Sequence, residues 1–261
     1  MSIKLGLVGK NIKYSKSPQI HQAMNNMYNL DMTYELFDIE EAELSSYIQR
    51  VRENRLKGFN VTTPYKEKVI SFLDDLTPKA KRIGAVNIVY KSHGKVIGDN
   101  TDYDGFIGLL KYHNIHVTNQ EVYILGSGGA AKACYVALSD LGAHVTVVTR
   151  NPKKHPLFGN MISYDNLDEN KVDLFIQATP IGTYPNISDS VLSKDQIENH
   201  RVVDLIYAPE ITQIVKNSKL GVNGQMMLII QAIESESLWL NKKTALTENL
   251  IKHLKEVIQN E

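Results

Sequence analysis

Apolar runs alternate with amphipathic segments along most of the chain, and the period of each run predicts its secondary structure. Short runs rich in β-branched residues are typical of buried strands, and longer runs with apolar residues every three or four positions are typical of helices. The predicted strands are KLGLVG, TYELFDI, GFNVTT, AVNIVY, EVYILGSG, HVTVVTR, DLFIQATP and RVVDLIY. This alternation predicts an α/β protein with largely parallel sheets.

The predicted strands fall into two groups, which indicates two domains. The first group ends near GDNTDYDGF and the amphipathic stretch IGLLKYH, and the alternation restarts at Glu121. A chain of 261 residues is long enough for two domains of about 100–150 residues each. We therefore expect two domains with a cleft between them, which is the default place for a ligand.

Composition and charge exclude several classes of protein. The 29 basic and 29 acidic residues cancel, so we expect neither nucleic acid nor an anionic membrane as a partner. The first residues resemble neither a secretion signal nor a transit segment, and no apolar stretch approaches the roughly 18 residues of a membrane span. The one cysteine, Cys134, cannot form an internal disulfide, and the histidines lack the spacing of a zinc site. These features favour a cytoplasmic protein without a metal.

The stretch VYILGSGGAAKACYVALSDLGAHVTVVTRN predicts a strand, a glycine-rich turn, a helix and a second strand. Gly126, Gly128 and Gly129 directly follow the first strand, and Ser127 and Ala130 belong to the same loop. Glycines at these positions allow backbone N–H groups at a helix N-terminus to approach a pyrophosphate closely. A glycine triplet alone could be an ordinary tight turn, but the flanking elements make the pattern specific. The sequence therefore predicts a dinucleotide site.

The end of the second strand indicates NADP rather than NAD. An NAD site expects an acidic residue about 20 positions after the glycines, to bind the ribose hydroxyls. This chain has Thr149, Arg150 and Asn151 there, followed by Lys153 and Lys154. A guanidinium beside ammonium groups suits a 2′-phosphate, and the alternative is an ordinary solvated basic turn.

The motif GFNVTTPYKEKV contains a lysine whose role the local pattern leaves open. Thr63 before Pro64 predicts a helix N-cap followed by proline at the first helical position, which places Lys66 in the first turn. The helix dipole disfavours a cation there by roughly 0.3–1 kcal/mol. Because that energy is small, the pattern alone fits a solvated surface lysine as well as a functional one.

The motif GDNTDYDGF brings together Asp99, Asp102 and Asp104 and has three interpretations. A calcium loop fits its first positions, but the twelfth position is Lys111, where an EF-hand requires glutamate. Helix capping beside a glycine turn is the second interpretation, and catalysis is the third.

Taken together, the motifs resemble the shikimate dehydrogenase family over nearly the whole chain. YSKSPQIH is similar to the family's serine motif, GFNVTTPYKEKV to its lysine motif, IGAVNIV to its asparagine motif, GDNTDYDGF to its aspartate motif and GSGGAAKA to its cofactor loop. VVDLIYAPEIT and GQMMLIIQA follow in the family's order. The resemblance implies a substrate domain over residues 1–102 plus about 231–261, and a Rossmann-type NADP domain over about 103–230.

The resemblance also implies an activity and a set of roles. The activity is the NADP-dependent, reversible interconversion of shikimate and 3-dehydroshikimate in aromatic amino acid (chorismate) biosynthesis, by a monomer or homodimer. Lys66 and Asp102 would be the catalytic pair, with the formal acid or base left open. The implied substrate-binding residues are Ser15 and Ser17 for the carboxylate, Thr62, Asn87 and Gln231 for the ring hydroxyls, and Tyr207 near the carboxylate. The implied cofactor-binding residues are Gly126, Ser127, Gly128, Gly129, Ala130, Thr149, Arg150, Asn151, Lys154, Thr179 and Gly224.

Four residues depart from the family's usual pattern. Gln177 and Thr183 stand where asparagine and methionine are commoner, Asn223 replaces an aspartate, and Glu236 falls where an aromatic residue is usual. These changes concern cofactor-side packing and the last helices, so they bear on cofactor affinity and nicotinamide placement more than on the class of reaction.

Two alternative functions stay open. A quinate-oxidising or dual-substrate relative would share nearly every residue but would commonly prefer NAD, which Arg150 disfavours. A cofactor-binding regulatory module without turnover would be expected to lack Lys66 or Asp102, and the chain has both.

Overall fold

The computed structural model describes residues 2–153 and 155–259. The chain divides into two compact units: the first is Met1–Asp104 with Ile229–Glu261, and the second is Gly105–Leu228. Each unit combines one sheet with helices, so the predicted α/β fold class is confirmed. Every predicted strand is also present, with bounds that differ by a few residues.

The first unit is built on a mixed sheet. Its strands are β1 (Ile3–Gly9), β2 (Met32–Asp38), β3 (Gly58–Val61), β4 (Asp75–Leu76), β5 (Ile88–Ser92) and β6 (Lys95–Asp99). Its helices include α1 (Ser17–Tyr28), α2 (Leu44–Arg52) and α3 (Pro78–Ile83), and α4 (Asp102–Tyr112) begins in it. The strand order is β2-β1-β3-β5-β6-β4. One core cluster of this unit combines residues of the sheet and α2, namely Val8, Phe59, Val61, Val89, Leu44, Ile48 and Val51.

One strand of this sheet is antiparallel to both of its neighbours, which the alternation of strands and helices does not predict. β1 pairs in parallel with β2 and β3, whereas β5 is antiparallel to both β3 and β6. β5 and β6 are joined by a two-residue turn in which His93 and Gly94 have φ values of 48° and 78°. So short a connection permits only antiparallel pairing, and Gly94 adopts the positive φ without strain.

The second unit contains a wholly parallel sheet. Its strands are β7 (Glu121–Leu125), β8 (His144–Val148), β9 (Asn160–Ile162), β10 (Leu174–Gln177), β11 (Arg201–Asp204) and β12 (Leu220–Val222), and its helices include α5 (Gly129–Asp140), α6 (Lys194–Ile197) and α7 (Gln213–Asn217). The order β12-β11-β10-β7-β8-β9 is that of a doubly wound dinucleotide-binding fold. The strand order reverses between β7 and β10, and ligands bind at the carboxyl ends of strands at such a switch point.

The last two helices are α8 (Gln225–Leu240) and α9 (Glu248–Gln259). α8 is apolar around most of its surface, and its buried residues include Ile229, Ile233 and Trp239. A helix that is apolar on all sides packs within a protein or a bilayer. α8 has 16 residues, and within the described ranges no helix is long and apolar enough to cross a membrane.

The segment that follows β3 is a turn, so the prediction that Lys66 lies in the first turn of a helix is wrong. The Tyr65 backbone N–H donates to the Thr62 carbonyl oxygen at 2.9 Å, which closes a four-residue turn, and the Thr63–Pro64 peptide within it is cis. A turn of this type has a cis proline as its third residue. A short 3₁₀ helix begins only at Lys68, so the helix dipole has no bearing on Lys66.

A fully buried carboxylate lies at the carboxyl end of β11 in the second sheet. Asp204, the last residue of β11, accepts hydrogen bonds from the Thr212 hydroxyl at 2.5 Å and from the Ile206 N–H at 2.9 Å. Burial raises the pKa of the Asp204 carboxyl from 3.8 to about 6, against the effect of these two neutral donors. The folded state therefore holds this proton more tightly than the unfolded chain does.

Asp204 should make stability fall as pH rises. Because its pKa is raised in the folded state, its contribution is complete below about pH 4 and is lost as pH rises through about 6. A shift of this size corresponds to about 3 kcal/mol. Asp204→Asn, whose amide can face both donors, should flatten this part of the pH profile of the free energy of unfolding, measured by urea denaturation.

The matched control is Asp173→Asn, which changes an exposed aspartate just before β10. It should keep the wild-type slope between pH 4 and pH 6. An unchanged slope in Asp204→Asn would show that Asp204 does not titrate in this range.

Candidate functional site

A partly buried ion pair lies beyond the carboxyl ends of two strands in the first unit. The Lys66 Nζ is 2.5 Å from the Asp102 Oδ2, and the two side chains are 16% and 9% exposed. Lys66 follows β3, and Asp102 follows β6 as the first residue of α4. A carboxylate at a helix N-terminus is favoured by the helix dipole, and this one also has a cation beside it. The pair can therefore hold and transfer a proton at a partly buried site.

The second oxygen of Asp102 is held by Asn87. The Asn87 Nδ2 donates to the Asp102 Oδ1 at 2.8 Å and to the Thr101 hydroxyl at 3.0 Å. The Asn87 Oδ1 accepts from the Thr101 N–H at 2.7 Å. Because both ends of the Asn87 amide are engaged, its orientation is fixed, and the carboxylate plane is fixed with it.

The structure distinguishes the three aspartates of GDNTDYDGF. Asp99 accepts from the Thr77 hydroxyl at 2.6 Å and lies 3.6 Å from the Lys79 Nζ. Asp104 forms an ion pair with the same lysine. Of the three, Asp102 is the one that faces Lys66, so Asp99 and Asp104 serve the structure of this segment. The roles of the three aspartates can be distinguished only in the folded chain, because all three stand within six residues of one another in the sequence.

The two serines of the first motif form a small buried cluster. The Ser15 Oγ donates to the Ser17 Oγ at 3.1 Å and accepts from the Ser17 N–H at 3.3 Å. Both residues are buried, and Ser17 begins α1 after the loop that follows β1. Two hydroxyls and a helix N-terminus form a suitable environment for a carboxylate.

The remaining substrate-side candidates lie in both units. Thr62 follows β3 and is partly buried, and Gln231 is buried on α8 in the first unit. Tyr207 follows β11 in the second unit and is partly buried. The structure thus brings Lys66, Asp102 and Asn87 into direct contact, and Ser15 into contact with Ser17.

A second layer of polar residues supports Asn87, and the sequence analysis misses it. The Asn60 Nδ2 donates to the Asn87 carbonyl oxygen at 3.1 Å and to the Ser235 Oγ at 3.0 Å. The Ser235 Oγ lies 3.2 Å from the Thr101 Oγ1, and the Tyr34 hydroxyl donates to the Asn60 Oδ1 at 2.8 Å. The only sequence signal is a polar residue in an apolar strand, which is also typical of a residue that only stabilises the core.

In the second unit the glycine loop joins β7 to α5 at the topological switch point. Gly126 has φ = +106°, and a Cβ there would lie 2.9 Å from the Thr179 Cγ2 and 3.2 Å from the Ala178 carbonyl oxygen. A Cβ on Gly128 would meet nothing within 4 Å. Gly126 is therefore required by the fold, whereas the protein itself leaves the space beside Gly128 open. Ser127 in the loop and Gly129 and Ala130 at the start of α5 are partly buried.

The segment after β8 lies next to this loop. The Ser127 Oγ and the Thr149 Oγ1 are 3.4 Å apart, and Arg150 and Asn151 are exposed. Burial raises the pKa of the Tyr164 hydroxyl, and the positive charge of Arg150 opposes the rise. Lys154 was also a cofactor candidate, and it lies outside the described residues.

Gln177 organises the loop after β10 and was not a predicted site residue. Its Oε1 accepts from both the N–H and the hydroxyl of Thr179 at 3.0 Å, and its Nε2 donates to the Ile181 carbonyl oxygen at 3.0 Å. Gly224 packs so tightly that a Cβ would lie 2.2 Å from the Leu205 carbonyl oxygen. Thr179 and Gly224 are thus both fixed near the carboxyl edge of the sheet.

The chain is similar to known proteins along almost its whole length. Residues 7–89 match the family described as the shikimate dehydrogenase substrate binding domain. A shikimate dehydrogenase (NADP(+)) from Clostridium botulinum is 42% identical over 246 residues, which cover 90% of this chain and 95% of the relative. The chain belongs to the shikimate dehydrogenase family.

Solved structures of shikimate dehydrogenases have the same fold. Shikimate dehydrogenase 1 from Peptoclostridium difficile is 34% identical with a TM-score of 0.91, and the match covers 98% of both chains. Shikimate 5-dehydrogenase from Thermus thermophilus, solved with NADP(H) and shikimate, is 28% identical with a TM-score of 0.86 and 98% coverage of both chains. The α/β architecture of both units is therefore the one expected for a member of this family.

Gly128 provides a test of the dinucleotide site that separates binding from folding. Gly128→Val adds a side chain into open space at φ = −77° and ψ = −174°, an extended conformation that valine adopts readily. We expect its melting temperature to stay within about 2 °C of wild type, because a surface substitution of this kind changes stability little. Dinucleotide affinity, measured by calorimetry, should fall at least about tenfold, since the added side chain occupies the space that the pyrophosphate needs.

Gly126→Ala is the comparison, since it places a Cβ at positive φ against Thr179 and Ala178. It should lower both the melting temperature and the affinity. Unchanged affinity in Gly128→Val would mean that the pyrophosphate does not approach this side of the loop.

Proposed function

We propose that this protein catalyses the reversible, NADP-dependent oxidation of shikimate to 3-dehydroshikimate. The observation that carries the proposal is the partly buried Lys66–Asp102 pair, with Asn87 fixed against the second carboxylate oxygen. The Lys66 Nζ donates to the Asp102 Oδ2 at 2.5 Å, and an amine held beside a carboxylate can exchange a proton with a substrate hydroxyl.

The reaction needs one hydride and one proton to leave the same carbinol group. In the oxidation the C3–H bond breaks, its electron pair leaves with the hydrogen, and the C–O bond becomes a carbonyl. The hydroxyl proton passes to the Lys66–Asp102 pair. In the reverse direction the Lys66 ammonium stabilises the alkoxide that forms and returns a proton to it.

We assign the substrate-binding groups from their chemistry. The buried hydroxyls of Ser15 and Ser17 would bind the carboxylate, while Thr62, Asn87 and Gln231 would bind the ring hydroxyls. Tyr207 would lie near the carboxylate. Polar groups that hydrogen-bond a substrate hydroxyl discriminate strongly against analogues that lack it, because those groups are then left unpaired.

The residues of the second unit fit NADP. The open space beside Gly128 and the N-terminus of α5 would receive the pyrophosphate, with Ser127, Gly129 and Ala130 in the same loop. NADP supplies the nicotinamide that accepts or returns the hydride. Thr149, Arg150 and Asn151 after β8 would bind the 2′-phosphate side of the adenosine, with Lys154 adjacent in sequence. Thr179 and Gly224 would border the dinucleotide from the neighbouring strands.

Lys66→Ala tests the catalytic assignment. Loss of the proton-transferring group should lower kcat with shikimate and NADP⁺ by about 10²–10⁴, with a smaller change in KM. The rate is measured from the absorbance of the reduced nicotinamide, with quinate as the rival substrate. Lys68→Ala is the matched control, because Lys68 stands two positions along the chain, is exposed and pairs with Glu41. Equal kcat values for Lys66→Ala and wild type would remove Lys66 from the mechanism.

Arg150→Ala tests the cofactor assignment. Charge-assisted hydrogen bonds to a phosphate contribute about 1.5–3 kcal/mol, so KM for NADP⁺ should rise about 10- to 100-fold. KM for NAD⁺, which lacks the 2′-phosphate, should stay within about twofold. Both KM values should also stay within about twofold in the control Lys171→Ala, which changes an exposed lysine of the second unit that pairs with Asp168. An equal loss for both cofactors would place Arg150 at the shared part of the dinucleotide. A wild-type preference for NAD⁺ with quinate would favour the alternative activity.

A further inference from the structure

A buried histidine and a buried glutamate form a second ionisable pair in the first unit. The His21 Nδ1 lies 2.9 Å from the Glu236 Oε1, and each side chain is 1% exposed. The other polar atoms of the pair, His21 Nε2 and Glu236 Oε2, are buried without a hydrogen-bond partner among the described residues. Among the described residues the two side chains are therefore joined by a single hydrogen-bonding contact.

We propose that the His21–Glu236 pair is a positioning element that fixes α1 against α8 and thereby holds the substrate-binding residues of the two helices in register. This inference rests on the proposed function for its substrate, and on the geometry of the first unit for its mechanism.

The surroundings of the pair argue against a role in stability alone. A neighbouring core cluster contains Leu5, Met32, Ile88 and Trp239. Replacing a buried ionic pair by well-packed apolar residues is often neutral or stabilising. The hydrogen bond from His21 to Glu236 fixes the distance and the relative orientation of these two side chains. Apolar packing specifies both less strictly.

The pair is close in sequence to the substrate-binding groups on each helix. His21 lies four residues after Ser17 on α1, so the two side chains share one face of the helix. Glu236 lies five residues after Gln231 on α8, and between them the Ser235 Oγ donates to the Gln231 carbonyl oxygen at 2.7 Å. A shift of α1 along α8 would therefore change the separation of Ser17 and Gln231.

Aromatic contacts hold the His21 ring in place. The ring stacks on Tyr34 with centroids 4.0 Å apart and planes at 13°, and the Trp239 ring centroid is 5.7 Å away. Tyr34 in turn donates to Asn60, which supports Asn87. A continuous set of buried and partly buried contacts thus joins Glu236 to the residues around Asp102.

The test is a double-mutant cycle with His21→Phe, Glu236→Leu and the double variant. His21→Phe keeps an aromatic ring against Tyr34 but removes Nδ1. Each single variant should raise KM for shikimate about tenfold, leave KM for NADP⁺ within about twofold, and increase amide hydrogen exchange in α1 about tenfold. The double variant should be no worse than either single one, because both remove the same contact. Glu236→Gln, which keeps an acceptor for Nδ1–H, should restore KM to within about twofold of wild type.

Glu234→Leu is the matched control, since Glu234 is a partly buried glutamate two positions away on α8. Emission from Trp239, the one tryptophan of the chain, reports whether the region stays folded in each variant. Wild-type KM and wild-type exchange in folded Glu236→Leu, or additive effects in the double variant, would overturn the proposal. If wild type fails to turn over shikimate, the proposed function fails, and the hydrogen exchange of α1 still decides whether the pair fixes that helix.

Discussion

The arrangement of the first unit depends on the carboxylate of Asp102 and its two partners. One oxygen faces the Lys66 ammonium and the other accepts from the Asn87 amide, so neither is free to rotate toward another group. Lys66 follows β3, Asn87 precedes β5, and Asp102 follows β6, so one side chain links three strands of the sheet. Because breaking a buried pair leaves an uncompensated charge, these three strand ends must keep their relative positions.

The two units use the ends of their strands in different ways. In the first unit Lys66, Asn87 and Asp102 come from segments next to three different strands, and their side chains hold one another. In the second unit the important feature is the lack of a side chain at Gly128, together with the backbone N–H groups at the start of α5. The first arrangement suits proton transfer, and the second suits the close approach of a pyrophosphate.

Local patterns in the sequence predicted most of the strands and the glycine loop. They failed where the structure of a segment or the role of a residue depends on residues that are distant in sequence. The strands and the glycine loop follow from apolar runs and from spacing, which are properties of neighbouring residues. The segment around Lys66 was predicted as a helix start because Thr63 and Pro64 have that local preference, whereas the folded chain makes a turn there. The support of Asn87 by Asn60 and Ser235 was missed, because Asn60 and Ser235 are 175 positions apart in sequence. Nor does any local pattern separate Asp102 from Asp99 and Asp104, whose partners come from other elements.

Three of the buried carboxylates among the described residues, namely Asp102, Glu236 and Asp204, differ in the groups that they contact. Asp102 faces a lysine, Glu236 faces a histidine, and Asp204 accepts only from neutral donors, the Thr212 hydroxyl and the Ile206 N–H. A neutral donor returns part of the hydration that a carboxylate loses on burial, and for Asp204 this is not enough, so burial raises its pKa to about 6. A cationic partner adds direct attraction to the hydrogen bond, and the strength of that attraction depends on how the pair is held. The position of a buried carboxylate is thus set by its backbone element, but its chemistry is set by the partner that the fold brings to it.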